Sequence, residues 1–228
     1  MNPMAEHERW EMEILDEMRR ARALNHLIFG GGTMLRLCHQ LPRYSVDLDF
    51  YLRELKKSFD DEFNSLCDVF SKIGLEITDT QAKHFTYLIE LRKRRASRRL
   101  KIEIRKENKQ AQFVETAIAF SSEAPELQVR LNACTLRQMW TNKIDSILNR
   151  KLIRDAYDIE FLLRRGAGDL GSLDLNTNGQ LLKIVKGFSK RDFVNTLGPL
   201  LPPEERRRVT STGFNFLEGE LNSVLASK

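Results

Sequence analysis

Two aspartates one residue apart, Asp47 and Asp49, lie in a segment, Val46 to Leu52, whose alternation is that of a β-strand. Val46, Leu48, Phe50 and Leu52 share one face, and the two Asp are left on the open one. Asp is disfavoured inside strands, so a pair at this spacing asks for a cause. Neighbouring carboxylates repel unless a cation lies between them, and hard oxygen donors suit Mg²⁺ or Mn²⁺. Upstream, Gly30, Gly31, Gly32 and Thr33 separate the apolar run Leu27 to Phe29 from a helical stretch, Met34 to about Gln40. Such a turn tolerates positive φ, and the helix behind it offers free N–H groups and a positive dipole end to an anion. It has neither the G-x-x-x-x-G-K-[ST] nor the G-x-G-x-x-G spacing. Alone it reads as a plain strand-to-helix turn; beyond Thr33, however, thirteen residues intervene and then the carboxylate pair begins. A phosphate cradle beside a metal site accounts for both.

The third feature is charge. The chain of 228 residues carries 37 Lys and Arg against 32 Asp and Glu, a net +5. Between Lys83 and Lys109, eleven basic residues face three acids, a local +8 that leaves about −3 for the rest. The run is densest at Arg92, Lys93, Arg94, Arg95, Arg98 and Arg99. Charge runs of this kind are most often solvated loops; the alternative is a patch for nucleic-acid phosphates.

Apolar periodicity supplies the elements that must position these groups. A helix is expected over Met4 to Ala23 and another from Phe59 to Ile73, stopped by Gly74. Strands are expected over about Leu75 to Thr80, His84 to Leu91 and Leu100 to Arg105, with the basic run at the tip of a hairpin between the last two. Glu103 then lies on the polar face of its strand with Lys101 and Arg105. A short strand near Leu127 to Leu131 precedes helices at about Thr135 to Asn149 and Arg154 to Arg165. Gly166 to Gly179 reads as a loop, with further helices over Gln180 to Phe188, Lys190 to Leu197 and Phe214 to Leu225. The expected class is α+β, a mixed sheet flanked by helices in residues 1–115 and a mainly helical domain in 116–228.

The stretch F-G-G-G-T-M-L-R-L through R-Y-S-V-D-L-D-F, Phe29 to Phe50, resembles the glycine turn and D-h-D pair of the DNA polymerase β-like nucleotidyltransferases. More narrowly it is similar to the AbiEii/AbiGii toxin family, whose pattern G-G-T-A-L-R-L…R-x-S-x-D-L-D-F is followed by K-x-x-A-L…R…R-D-x-x-D. Lys143, Ile144, Ile147, Leu148, Arg150, Arg154, Asp155, Tyr157 and Asp158 match the later block, and the likeness runs from about Leu24 to Leu163. Met34 stands where the family often has Ala.

The resemblance implies a polymerase β-like core whose helical carboxy-terminal half completes the nucleotide cleft. Asp47 and Asp49 match the metal pair, Gly31, Gly32 and Thr33 the triphosphate turn, and Ser45 a residue whose hydroxyl touches the phosphates. Lys143 and Asp158 match the essential Lys and Asp, with Arg150, Arg154 and Asp155 beside them at the nucleotide; either Asp could orient Lys143 or meet the nucleotide. Glu103 is the candidate third metal ligand and proton acceptor, with a salt bridge to its basic neighbours as the other reading. The expected protein is a Mg²⁺- or Mn²⁺-dependent toxin of a toxin–antitoxin or phage-defence pair. It would transfer a nucleotide from an NTP to an acceptor hydroxyl and release pyrophosphate. An RNA acceptor, tRNA first, gives the basic run its purpose, and beside such a site acceptor docking comes ahead of the solvated loop. A cognate antitoxin is an expected partner. A non-catalytic RNA- or nucleotide-binding module, or transfer to a protein or small molecule, are the competing functions.

Other chemistry is not indicated. The four His have no metal spacing, and Cys38, Cys67 and Cys134 are too scattered for a disulfide framework. They read as reduced thiols in a cytoplasmic protein, with no apolar leader and no membrane span.

Overall fold

A computed structural model describes residues 2–54, 59–94, 98–107 and 109–227. The chain divides into two compact units, Met1–Gln40 with Tyr44–Thr135, and Leu41–Arg43 with Leu136–Lys228. The change therefore falls later than the 115/116 division expected from sequence, because two further strands belong to the sheet of the first unit.

In the first unit the chain runs α1 (Pro3–Arg20), β1 (Leu27–Gly30), α2 (Gly31–His39), β2 (Asp47–Leu52), α3 (Asp60–Lys72), then β3 (Glu76–Ala82), β4 (Thr86–Arg92), β5 (Leu100–Arg105), β6 (Val114–Phe120) and β7 (Gln128–Cys134). The strands form one seven-stranded mixed sheet in the order β3-β4-β5-β2-β1-β7-β6, the α+β architecture expected. Pairings β2–β5 and β1–β7 are parallel and the others antiparallel. The alternation of β2 and β5 sends Leu48, Phe50, Leu100, Ile102 and Ile104 into the core, where Phe29 and Phe50 stack at 5.0 Å. Helix α2 begins within the glycine run and not at Met34, its N-cap being the extended Gly30. Strand β6 has no counterpart in the sequence reading. Its large apolar residues Val114, Ile118 and Phe120 are exposed while the small Ala119 is buried, which inverts the usual pattern.

The second unit holds α4 (Leu136–Arg150), α5 (Ile153–Arg164), α6 (Leu175–Lys186), α7 (Pro203–Thr212) and α8 (Asn215–Ala226), with a short wide turn of helix at Asp192–Leu197. Helix α5 stops at Gly166, whose φ is +68°. Helix α6 starts inside the stretch expected to be a loop: the Asp174 carboxylate accepts from Thr177 N–H at 2.8 Å and caps it. Helix α7, likewise unexpected, opens on Pro203 followed by Glu204 and Glu205, a favourable first turn. Among the described residues no helix is long and apolar enough to cross a membrane.

Candidate active site

The open face of the sheet in the first unit is a charged grid. Parallel pairing sets Asp47 beside Lys101, Asp49 beside Glu103 and Tyr51 beside Arg105. On the far side of β5, Glu90 of β4 stands opposite Lys101. Like charges on adjacent strands are unfavourable, and the Asp49–Glu103 neighbours are such a pair. Two cations flank them: Lys101 Nζ donates to Glu103 Oε2 at 3.2 Å and Arg105 Nε to Glu103 Oε1 at 3.3 Å. Burial, then Asp47, then Glu103 push the Asp49 carboxyl above its ordinary pKa, against the pull of Arg105 and Lys101. Partial burial works against the Lys101 charge, but Asp47 and Glu103 outweigh it and lift that pKa.

The glycine turn closes directly on Asp49. Gly31 has φ +74°, and a Cβ there would fall 2.2 Å from Asp49 Oδ2. Any side chain would be strained in backbone and would displace the carboxylate. Thr33, expected at a triphosphate, is fully buried, and its hydroxyl donates to the backbone carbonyl of Asp47 at 2.6 Å. It ties the first turn of α2 to the start of β2. Gly32 is buried in that same turn. Ser45 is half-buried just before β2. Helix α1 supports this region from the other direction. His7 Nε2 lies 3.1 Å from the carbonyl oxygen of Val46, and Glu8 receives Arg36 Nε of α2 at 2.7 Å. Glu11 is buried with neither carboxylate oxygen hydrogen-bonded among the described residues, the nearer one 3.6 Å from His7 Nε2. Burial, then Glu8, then Asp47 push its pKa well up. None of these α1 residues was singled out from sequence, where they read as the polar remainder of an amphipathic helix.

The donor set fits one hard cation better than a three-carboxylate cage. Asp47 and Asp49 are adjacent on one face and lack an ion pair with any described residue. Glu103 is taken by Lys101 and Arg105, because its own strand places both basic residues two positions away on the same face. Among the described residues no three His, Cys, Asp or Glu side chains are grouped to hold a metal.

The basic run leads into β5 at the end where Asp47 stands opposite Lys101. Arg92 pairs with Glu76 at 3.7 Å, Lys93 with Glu13 at 2.7 Å and Arg99 with Glu90 at 2.6 Å, all exposed. Such surface pairs contribute little. Arg94 and Arg98 are exposed without an ion pair among the described residues, and Arg95 lies outside them. Arg98 and Asp47 act in opposite directions on His7, whose pKa is lowered chiefly by burial.

The later block forms a separate cluster within the second unit. Lys143 of α4 donates to Asp155 Oδ1 at 3.1 Å and lies 2.7 Å from Asp158 Oδ2. Arg150, on the same helix, grips Asp155 with Nε and a terminal nitrogen at 2.7 and 2.8 Å. Asp158 is held in the same bidentate way by Arg43, at 2.6 and 2.7 Å. Both aspartates are fully buried. Burial would raise the Asp158 pKa, but Arg43 and then Lys143 overcome it and hold it low. Both Asp therefore orient Lys143. Arg154, one turn away, makes no ion pair among the described residues. Arg43 was legible only as part of the R-x-S-x-D-L-D-F pattern; its role emerges from a partner 115 residues away.

A model of one family, described as nucleotidyl transferase AbiEii toxin, type IV TA system, matches residues 13–215, a longer stretch than the motifs span. No curated protein matches. Among solved structures, the nucleotidyltransferase toxin MenT4 (Rv2826c) of Mycobacterium tuberculosis H37Rv aligns with a TM-score of 0.55 at 17% identity, over 98% of this chain and 87% of that one. JHP933 from Helicobacter pylori aligns with a TM-score of 0.52 at 17% identity, over 95% and 96%. At that identity these two likenesses speak for the fold.

Proposed function

The chain belongs to the AbiEii nucleotidyltransferase toxin family of type IV toxin–antitoxin systems, and from that premise we propose that it transfers a nucleotide from an NTP to a hydroxyl of RNA, with tRNA the first acceptor to test. The observation that carries this reading is the contact between the glycine turn and Asp49, with Asp47 beside it on the same open face. It joins a site for a divalent ion to a helix N-terminus able to hold phosphate.

Asp47 and Asp49 would hold Mg²⁺ or Mn²⁺. A bound divalent ion supplies Lewis-acid polarisation of the α-phosphate and offsets charge on departing pyrophosphate. Backbone N–H groups of Gly31 and Gly32 bind phosphate oxygens, with the Ser45 hydroxyl as a further donor. Lys143, Arg150 and Arg154 contribute positive charge for the nucleotide, and Asp155 and Asp158 fix Lys143. The acceptor's backbone docks on the basic hairpin, with Arg94 and Arg98 the cations left unpaired by described residues. A cognate antitoxin and a role in phage defence in the cytoplasm belong to the same reading.

The test is incubation of the protein with labelled NTPs, Mg²⁺ and total RNA, beside Asp47→Ala and Lys143→Ala. Label should enter RNA with the wild type alone; equal labelling by all three would overturn the reading. Replacing Arg94 and Arg98 by Gln should weaken RNA binding and flatten its dependence on log salt by roughly 0.7 per lost phosphate contact. An unchanged slope would redirect the search to a protein or small-molecule acceptor.

A further inference from the structure

Resting on the metal reading above, we propose that Lys101 is the resident cation of this site and Glu103 its anchor, so that a single divalent ion binds on Asp47 and Asp49. Three carboxylates, Asp47, Asp49 and Glu103, occupy adjoining positions on β2 and β5. Lys101 lies among them: opposite Asp47 in register, 3.2 Å from Glu103, and flanked by Glu90 on β4. Its side chain is about one-third exposed, at 35%, and the carboxylate it holds is 22% exposed. The ammonium is thus sheltered enough for its charge to be felt by all three carboxylates.

A second divalent ion bridging Asp49 and Glu103 would have to compete with both Lys101 and Arg105, each of which bonds one oxygen of Glu103 and adds its positive charge beside the ion. Repulsion between a bound dication and a fixed ammonium also weakens the first ion. Lys101 therefore sets both the number of ions and their affinity. Arg105 is not equivalent: it lies four residues beyond Lys101 on β5, opposite Tyr51, with its guanidinium 5.8 Å from that ring.

The experiment is a Mn²⁺ titration of the full chain, with free ion followed by electron paramagnetic resonance. Wild type should bind one ion, lost in Asp49→Asn. Glu103→Gln should keep that ion within about threefold in affinity. Lys101→Gln should tighten it about tenfold, a modest share of what two nearby charges exchange across a partly solvated gap, whereas Lys101→Arg should leave it unchanged. Thermal melts establish that each variant is folded, and the Arg variant keeps the test decisive should Gln fail. A Glu103→Gln loss as large as that of Asp49→Asn overturns this inference alone and makes Glu103 a ligand. An unaltered affinity in folded Lys101→Gln overturns it too. A wild-type ion that survives both Asp47→Asn and Asp49→Asn overturns the inference together with the metal reading beneath it.

Discussion

Two clusters of the same residue types have been built to opposite ends. On the sheet of the first unit, Lys101 and Arg105 both pair with Glu103, and among the described residues neither Asp47 nor Asp49 has an ion pair. In the second unit, two aspartates are enclosed by three cations, Arg43, Lys143 and Arg150. An excess of buried negative charge raises a carboxyl pKa and invites a cation; a saturated network lowers it and holds a fold together. The opposite shifts of Asp49 and Asp158 express this difference.

The sharpest way to separate them is to neutralise one carboxylate in each. Asp49→Asn should lower nucleotide transfer about a thousandfold, roughly 4 kcal/mol of barrier, without loss of stability. Because the folded state raises the Asp49 pKa, its ionised form opposes folding, and that handicap grows as pH rises through the folded value. Urea unfolding at neutral pH should find the variant equal to or above the wild type; a clear loss would erase the contrast.

Asp158→Ala should behave in the other sense, costing about 3–5 kcal/mol by leaving Arg43 and Lys143 buried beside an empty place. The folded state lowers this pKa, so the contribution is complete above the unfolded carboxylate value of about 3.9 and is lost as pH falls through the folded one. Wild-type stability should therefore drop below about pH 4, and Asp158→Asn should show a shallower acid limb in denaturant titrations. An unchanged slope would mean that the network is not felt in stability.

Gly31→Ala tests how tightly the first cluster depends on its turn. With φ at +74° and the added Cβ meeting the Asp49 carboxylate, the backbone cost is about 1–2 kcal/mol. Displacing the carboxylate should also reduce Mn²⁺ affinity. If ion binding persists at wild-type strength in a folded variant, the close approach has no bearing on the site.

What was legible in the sequence followed from short-range pattern. Asp47, Asp49 and the glycine turn stood out because a two-residue period and a strand–turn–helix order are local, and the core strands β2, β4 and β5 followed the same rule. Arg43 was not legible as a partner, since its meaning depends on Asp158, 115 residues away. Glu103 was legible on the polar face of its strand between two basic residues, but its pairs with Lys101 and Arg105 show only in side-chain distances. Strand β6 escaped because its exposed face is the apolar one, and α6 began earlier than expected because a single cap, Asp174, outweighed a Gly- and Asn-containing stretch.

Thr33 shows how a correct position can carry a different role, and it yields the smallest of the expected effects. Its place after the glycines suggests a phosphate ligand, yet the hydroxyl is buried and already donates to the carbonyl of Asp47. Thr33→Val keeps the shape and removes the donor, leaving that carbonyl short of a partner at a cost of about 1–3 kcal/mol. Because the bond fixes the backbone of Asp47, one of the two proposed metal ligands, the variant should lose Mn²⁺ affinity and turnover while its KM for NTP stays close to wild type. Thr33→Ser, which restores the hydroxyl, should recover most of both. A rise in KM alone, with ion binding intact, would return Thr33 to the phosphates and make the turn, not the strand, the part of the site it serves.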